Sequence, residues 1–306
     1  MNCLNISILT AVICLFVNTA FSQKSEDARN LVKEGIELNN QKNYTGAIEK
    51  YRQALTIDTG YLFGGYQLAL SLYATDKGTE GIKYLEKIAA ANSSLKAPAY
   101  DLLSLIYFKN KKYAAAEQAA IEGIKLEPGH AGSMRTYALV TFHQNKRANA
   151  LLGFCSFILL EPHTARSVEA MGNIRHILQG GALKTEPGEA PLGAPDENTL
   201  SGNKAITTTV AEAAKNKYAS GADQLAETLK NIFLSVGRVA EKESGDDFFR
   251  KYLAAYFYQL AQSDNMPAFA RLINMGDPEN EKWIQAHSQQ MTELNNWLQH
   301  TERELK

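Results

Sequence analysis

Apolar side chains recur along most of this chain at the spacing of α-helices. From residue 28 to residue 178 they fall three and four positions apart, which places them on one face of each predicted helix. The pattern stops near residue 180 and resumes from about residue 204, again at helical spacing. The sequence therefore predicts an all-α fold in two parts, separated by a stretch of different composition.

The first helical part carries a second, longer period. Four small residues, which we call the anchors, lie 34, 35 and 34 positions apart: Ala47, Gly81, Ala116 and Ala150. Bulky or small apolar residues follow each anchor by four and by seven positions, as Tyr51 and Ala54 do in the first unit. An anchor must be small if a second helix crosses the first closely at that point. Pro128 and Pro162 close the third and fourth units, because proline cannot continue a helix.

These residues resemble the tetratricopeptide repeat, a helix–turn–helix unit of about 34 residues. Four repeats match inside an array of residues 23–179, with Lys96 as an insertion: 28–61, 62–95, 97–130 and 131–164. The resemblance implies an α–α superhelix of helical hairpins, whose concave inner face commonly holds a peptide. Residues 165–179 continue at helical spacing and are predicted to cap the last repeat, since a terminal repeat would otherwise expose its apolar face.

The composition changes between residues 180 and 203. Five glycines and three of the eight prolines fall in this stretch, and bulky apolar residues are almost absent from it. Such a composition is typical of a solvated linker or a long irregular loop. The sequence therefore predicts a linker here, followed by a separate C-terminal helical domain over residues 204–306.

The predicted C-terminal domain contains helices but no repeat. We expect one helix from Leu225 to Ala240, a mostly buried aromatic helix from Phe248 to Leu260, and a last helix that begins at Asp277-Pro278 and runs to Leu298. The segment from Tyr252 to Trp297 resembles the tails of secreted tetratricopeptide proteins of Gram-negative bacteria. That resemblance implies no activity.

The N-terminal residues 1–22 have the pattern of a signal peptide. They contain no charged side chain, and residues 6–17 form a largely apolar run of 12, shorter than the roughly 20 residues that a membrane-spanning helix needs. Ala20-Phe21-Ser22 fits a cleavage site. We expect cleavage after Ser22, which leaves a periplasmic or secreted chain with no transmembrane helix. The start lacks the usual Lys or Arg, so an uncleaved anchor is the alternative.

Charge and motifs exclude several kinds of chemistry. Lys and Arg total 32 against 33 Asp and Glu, a balance unlike the strongly basic domains that bind nucleic acid. The sequence contains no His-Glu-x-x-His, no Cys-x-x-Cys and no phosphate-binding Gly-x-x-x-x-Gly-Lys pattern. Cys155 lies in the apolar run 151–160 and is predicted to be a core residue. We therefore expect no enzyme activity, cofactor, metal or nucleic-acid partner.

The inner face of the repeat array is the remaining candidate surface. Positions that face the groove in this repeat family carry aromatic and charged side chains here, and aromatic residues are favoured at interaction hot spots. The partner-binding residues predicted from the resemblance are Tyr66, Tyr73, Asp101, Phe108, Lys109, Arg135, Phe142 and His143. The alternative is that the linker or the C-terminal helices of the chain itself fill the groove.

Two functional hypotheses follow from this sequence. The first is a non-enzymatic scaffold of the periplasm or cell envelope that binds a protein or peptide of unknown identity. The second is an envelope hydrolase, or an accessory subunit of one, with an active surface in the C-terminal helices. The second requires Asp246, Asp247 and His287 to converge in a cleft.

Overall fold

The protein is described by a computed structural model covering residues 24–180, 196–242 and 247–304, and every regular element in those ranges is a helix. The predicted all-α fold of consecutive helical hairpins is confirmed. The predicted signal peptide and most of the predicted linker lie outside the described residues.

Residues 24–180 form helices that alternate with short turns. These helices are α1 (24–40), α2 (Tyr44–Ile57), α3 (Leu62–Ala74), α4 (Gly78–Ala90), α5 (Lys96–Lys109), α6 (Tyr113–Leu126), α7 (Ala131–His143), α8 (Arg147–Leu160) and α9 (Ala165–Leu178). The predicted cap of the last repeat corresponds to α9.

Six further helices follow in the described C-terminal residues. They are α10 (Glu197–Ala213), α11 (Gly221–Lys242), α12 (Ala255–Gln262), α13 (Met266–Ile273), α14 (Pro278–Ala286) and α15 (Ser288–His300). A π-helical stretch, Phe248–Ala254, runs directly into α12. Together with α12 it forms the predicted aromatic helix, and the side chains of its predicted apolar stripe are buried as expected.

The turn inside each hairpin has the same backbone conformation. Residues with positive φ recur with the spacing of the anchors: Lys42 (61°), Asp76 (61°), Lys111 (57°) and Asn145 (56°). A left-handed residue ends a helix and lets the chain reverse, while the next backbone N–H returns to the last turn of the helix. The amides of Asn43, Lys77 and Lys146 accordingly donate to carbonyls five residues earlier, at 2.8, 2.8 and 2.9 Å.

The anchors lie where helices cross closely. Ala47, Ala116 and Ala150 are fully buried. A Cβ atom on Gly81 would lie 3.1 Å from both Cα and Cβ of Ala69 on the preceding helix. The repeat register therefore fixes residue size at these positions through packing.

The helices form two compact units whose boundary differs from the predicted one. Residues up to Asn110 form the N-terminal unit, and residues from Lys111 on form the C-terminal unit. The boundary falls inside the third repeat, between α5 and α6, and not in the predicted linker. The C-terminal unit thus includes the predicted domain of residues 204–306 together with the last repeat.

The reason for this difference lies in α8. Every residue from Ala148 to Ile158 is buried, and α8 contacts α7, α9, α10, α13 and the π-helical stretch. A helix that is apolar on all sides has to be covered on all sides. The last repeat and the C-terminal helices consequently share one hydrophobic core.

The predicted linker is also shorter than residues 180–203. Helix α10 begins at Glu197, where the side chain of Asp196 accepts a hydrogen bond of 2.7 Å from the backbone N–H of Thr199. Asn203 then joins α10 to the start of α8. Its Oδ1 accepts from the backbone N–H of Arg147 at 2.9 Å, and its Nδ2 donates to the carbonyl of Asn145 at 2.8 Å.

The predicted last helix is divided in two at His287. Its start at Pro278, after Asp277, is as predicted, and Asp277 accepts from the backbone N–H of Glu279 at 3.0 Å. His287 Nδ1, however, lies 2.8 Å from the carbonyl oxygen of Trp283, the group that the backbone N–H of His287 would use in a continuous helix. The helix therefore ends at Ala286, and α15 begins at Ser288.

Candidate functional site

The N-terminal unit contains five of the predicted partner-binding residues on two helices. We call this surface the α3–α5 face: Tyr66 and Tyr73 on α3, with Asp101, Phe108 and Lys109 on α5. Helix α3 buries Leu68, Ala69 and Leu72 on its other side, so the residues at positions 66 and 73 stay half-buried. Helices α3 and α5 contact each other directly.

Tyr66 and Asp101 interact across the α3–α5 face. Burial raises the pKa of the Tyr66 hydroxyl, and the nearby negative charge of Asp101 raises it further. Tyr66 therefore remains a neutral phenol that can donate a hydrogen bond. The two residues lie 35 positions apart, at equivalent places in successive repeats.

A cation lies beside the second tyrosine of the face. The Nζ of Lys109 is 5.3 Å from the centre of the Tyr73 ring, within the range of a cation–π contact. Lys109 also forms an ion pair with Asp76, the left-handed residue of the α3–α4 turn. This hydrogen bond raises the pKa of Lys109. The face thus carries aromatic rings with charges of both signs.

Apolar side chains extend the face between and beyond these residues. Phe63 is 37% exposed, and its ring centre lies 6.3 Å from that of Tyr61. Leu70, Leu105 and Phe108 are half-buried. Half-buried aliphatic and aromatic groups of this kind can lose further water contact when a partner covers them.

The three predicted residues in the C-terminal unit are held by the chain's own helices. Phe142 is only 4% exposed, and its ring packs edge-on against Phe154 of α8 and His176 of α9, at 6.0 and 5.8 Å. It belongs to the hydrophobic core, so its predicted place on an accessible surface is wrong. The side of α7 that carries Phe142 therefore packs against α8 and α9.

The two polar members of that set also have partners within the unit. Arg135 forms an ion pair of 2.7 Å with Glu169 on α9. The ring of His143 stacks on Tyr113 of α6, with ring centres 5.8 Å apart. These contacts stabilise the packing of neighbouring repeats and leave the α3–α5 face as the more accessible part of the predicted site.

Two of the three residues required for the hydrolase hypothesis have separate local partners. Asp246 lies outside the described residues. Asp247 pairs with Arg250 at 2.6 Å and Lys251 at 3.5 Å, and these cations lower the pKa of its carboxyl. His287 stacks on Trp283 with ring centres 4.0 Å apart. In the described part of the chain, no group of three or more His, Cys, Asp and Glu side chains is arranged to hold a metal ion.

Cys155 is a core residue, as predicted. It is fully buried in α8, and burial raises the pKa of its thiol far above the usual range. A thiol that stays protonated is a poor nucleophile and a poor metal ligand.

Sequence reasoning missed Arg303, which lies after α15. Its guanidinium is enclosed by the rings of Tyr252, Tyr256 and Phe257, at 5.1, 4.0 and 5.4 Å from their centres. Its Nη1 donates a hydrogen bond of 2.8 Å to Ser156 Oγ on α8. The sequence gives no signal for this contact, because Arg303 belongs to a charged C-terminal stretch that is typical of a solvated surface.

None of the described helices is both long enough and apolar enough to cross a bilayer. No protein-family model matches the chain, and no curated protein is similar to it in sequence.

Two solved structures are similar to this chain in the arrangement of their helices. PilF of Pseudomonas aeruginosa has 16% sequence identity and a TM-score of 0.45, and the similarity covers 78% of this chain and 98% of PilF. A tetratricopeptide repeat protein of Parabacteroides merdae has 10% identity and a TM-score of 0.43, with 81% of this chain and 99% of that protein covered. Such low identities assign no activity.

Proposed function

We propose that this protein is a non-enzymatic scaffold of the periplasm or cell envelope, which holds a peptide or a partner helix on the α3–α5 face. The observation that carries the proposal is the half-buried set of Tyr66, Tyr73 and Phe108 on two adjacent helices. Asp101 and Lys109 lie beside these rings. Aromatic side chains are enriched at the centre of protein–protein interfaces, and polar or charged side chains form the surrounding rim.

The charges of the face favour one kind of partner. One acidic and one basic side chain next to apolar rings suit an extended peptide or an amphipathic helix that carries both signs of charge. A polyanion would gain from Lys109 but would be repelled by Asp101, so a nucleic acid is a poor fit.

The test is crosslinking in intact cells followed by mass spectrometry of the captured proteins. We expect the chain with both Tyr73→Ala and Phe108→Ala to lose its partner, because truncating an interface hot spot typically costs about 2 kcal/mol, or roughly thirtyfold in affinity. The far-ultraviolet circular dichroism should stay helical. Tyr218→Ala, a half-buried tyrosine between α10 and α11, is the matched control and should keep the partner.

Phe142→Ala separates binding from folding. Since Phe142 is a core residue, its truncation should lower the free energy of unfolding by about 3–5 kcal/mol. Unchanged partner recovery from the Tyr73/Phe108 double variant would refute the α3–α5 face as the binding surface. The location is tested by the intact mass of periplasmic protein, which should correspond to a chain that starts at Gln23.

A further inference from the structure

A cleft in the C-terminal unit lies against Arg303. Its volume is about 450 Å³, within the range of small-molecule sites. Apolar side chains from three helices line most of it: Met134, Leu159, Leu160 and Leu298. Leu160 is 39% exposed, so one side of the cleft meets solvent. The polar lining groups include Ser156, Tyr252, Tyr256 and Arg303.

Arg303 brings a positive charge to this cleft, and none of the described carboxylates forms an ion pair with it. Within residues 24–180, 196–242 and 247–304, its partners are Ser156, Tyr256 and the three aromatic rings, and no carboxylate pairs with it. A guanidinium has five N–H donors, so two hydroxyl partners leave donor capacity unused. Arg303 is half-buried, and the burial of its guanidinium lowers its pKa.

The surrounding rings hold the cation but do not neutralise it. Burial raises the pKa of both Tyr252 and Tyr256, so both phenols stay uncharged beside the guanidinium. Tyr252 belongs to the π-helical stretch, a type of backbone often found at functional sites. An anion placed against Arg303 would gain charge-assisted hydrogen bonds in a poorly hydrated position.

The remaining charge of the cleft limits which anion fits. Glu302, which is exposed, also lines the cleft. One arginine with one glutamate nearby favours a singly charged group over a doubly charged phosphate. The apolar walls suit an aliphatic body next to that charge.

We propose that this cleft binds a small amphipathic monocarboxylate, with its carboxylate on Arg303 and its aliphatic chain along Met134, Leu159 and Leu298. The site is independent of the α3–α5 face, which lies in the other unit. The shape and charge of the cleft thus assign the chain a small-molecule ligand in addition to its proposed protein partner.

Isothermal titration calorimetry on the full chain tests this site with decanoate, decanol and decyl phosphate as probes. We expect saturable binding of decanoate, at least about tenfold tighter than that of decanol, because a hydrogen bond between charged groups is roughly twice as strong as one that involves a neutral group. Decyl phosphate should bind more weakly than decanoate.

Variants assign the binding to its residues. Arg303→Gln should weaken decanoate binding about tenfold or more and leave decanol binding unchanged. Leu160→Glu, at the exposed side of the cleft, should weaken the binding of decanoate and decyl phosphate while keeping Arg303 in place. Arg166→Gln is the matched control, since Arg166 also lies over an aromatic ring, that of Phe157 at 5.9 Å, but pairs with Glu161.

Three results would overturn the proposal. The first is no decanoate binding at millimolar concentration by the unmodified chain. The second is equal loss of decanoate and decanol affinity in Arg303→Gln, which would make Arg303 a structural residue only. The third is retained decanoate affinity in a folded Leu160→Glu variant, which would place the ligand elsewhere.

Discussion

Gly35 offers a sharp test of the packing inside the first hairpin. A Cβ atom on Gly35 of α1 would lie 2.4 Å from Cε1 of the Tyr51 ring on α2. Carbon atoms in contact prefer about 3.5–4.0 Å, so the ring would have to move by more than 1 Å. Tyr51 is fully buried, so its ring would have to move against packed neighbours. We therefore expect Gly35→Ala to make the N-terminal unit less stable than an alanine substitution at an uncrowded helical glycine does.

The magnitude is best read against a control in the same unit. Alanine is favoured over glycine in a helix by about 1 kcal/mol, and this gain applies equally to Gly35 and to Gly65 on α3. A Cβ on Gly65 would meet Tyr84 at 3.6 Å, an ordinary contact. Gly65→Ala should therefore stabilise the unit by about 1 kcal/mol. Gly35→Ala adds an overpacking cost of about 1–3 kcal/mol.

Urea denaturation followed by circular dichroism measures both free energies of unfolding. The two alanine variants should differ by about 1–3 kcal/mol, with Gly35→Ala the less stable. In a Tyr51→Leu background, Gly35→Ala should cost less stability than it does in the unmodified chain, because the ring atom that clashes is absent. Equal stability of the two alanine variants would refute the close approach of α1 and α2.

Two further predictions concern turns and pH. Lys42→Gly should raise the free energy of unfolding by about 1 kcal/mol in thermal or urea denaturation, because Lys42 has a φ of 61°. Lys33→Gly, inside α1, should lower it by a similar amount. A loss of stability in both variants would contradict the left-handed turn. Asp223→Asn should lower that free energy by about 1–3 kcal/mol at pH 7, since Asp223 pairs at 2.6 Å with the buried Arg271. Arg271 holds the pKa of Asp223 below its usual range. The difference in stability between the unmodified chain and Asp223→Asn should therefore disappear as the pH falls through that lowered pKa. A difference that persists in acid would exclude the ion pair as its cause.

The sequence predicted the hairpins well because their determinants are local. The anchors, the helical spacing and the turn positions each depend on residues within one repeat. The same pattern occurs in all four repeats, which strengthens the prediction. Asp277 and Pro278 likewise predicted a helix start from neighbouring residues alone. The break at His287 was not predicted, because it depends on a hydrogen bond between the His287 side chain and the backbone carbonyl of Trp283.

Long-range packing was predicted poorly for the opposite reason. The spacing of Phe142 shows that it faces a groove position, but not that α8 and α9 cover it. The apolar run 151–160 was used to predict the burial of Cys155 only. Apolar residues all around a helix also indicate that other helices cover it on every side. Arg303 could not be found from sequence, because its partners lie on α8 and α12 and in the π-helical stretch.

The burial of α8 from Ala148 to Ile158 has a consequence for how the protein is made. Helix α13, which contacts α8, ends at Ile273. At ordinary rates of synthesis, the roughly one hundred residues between them take about 5–20 s to emerge. During that time a helix that is buried from Ala148 to Ile158 in the folded chain lacks part of its cover. We therefore expect a fragment that ends near residue 179 to aggregate, and newly made chains to need a holding chaperone until the C-terminal helices arrive. A late truncation would then remove the whole C-terminal unit from the cell and not only its last helices.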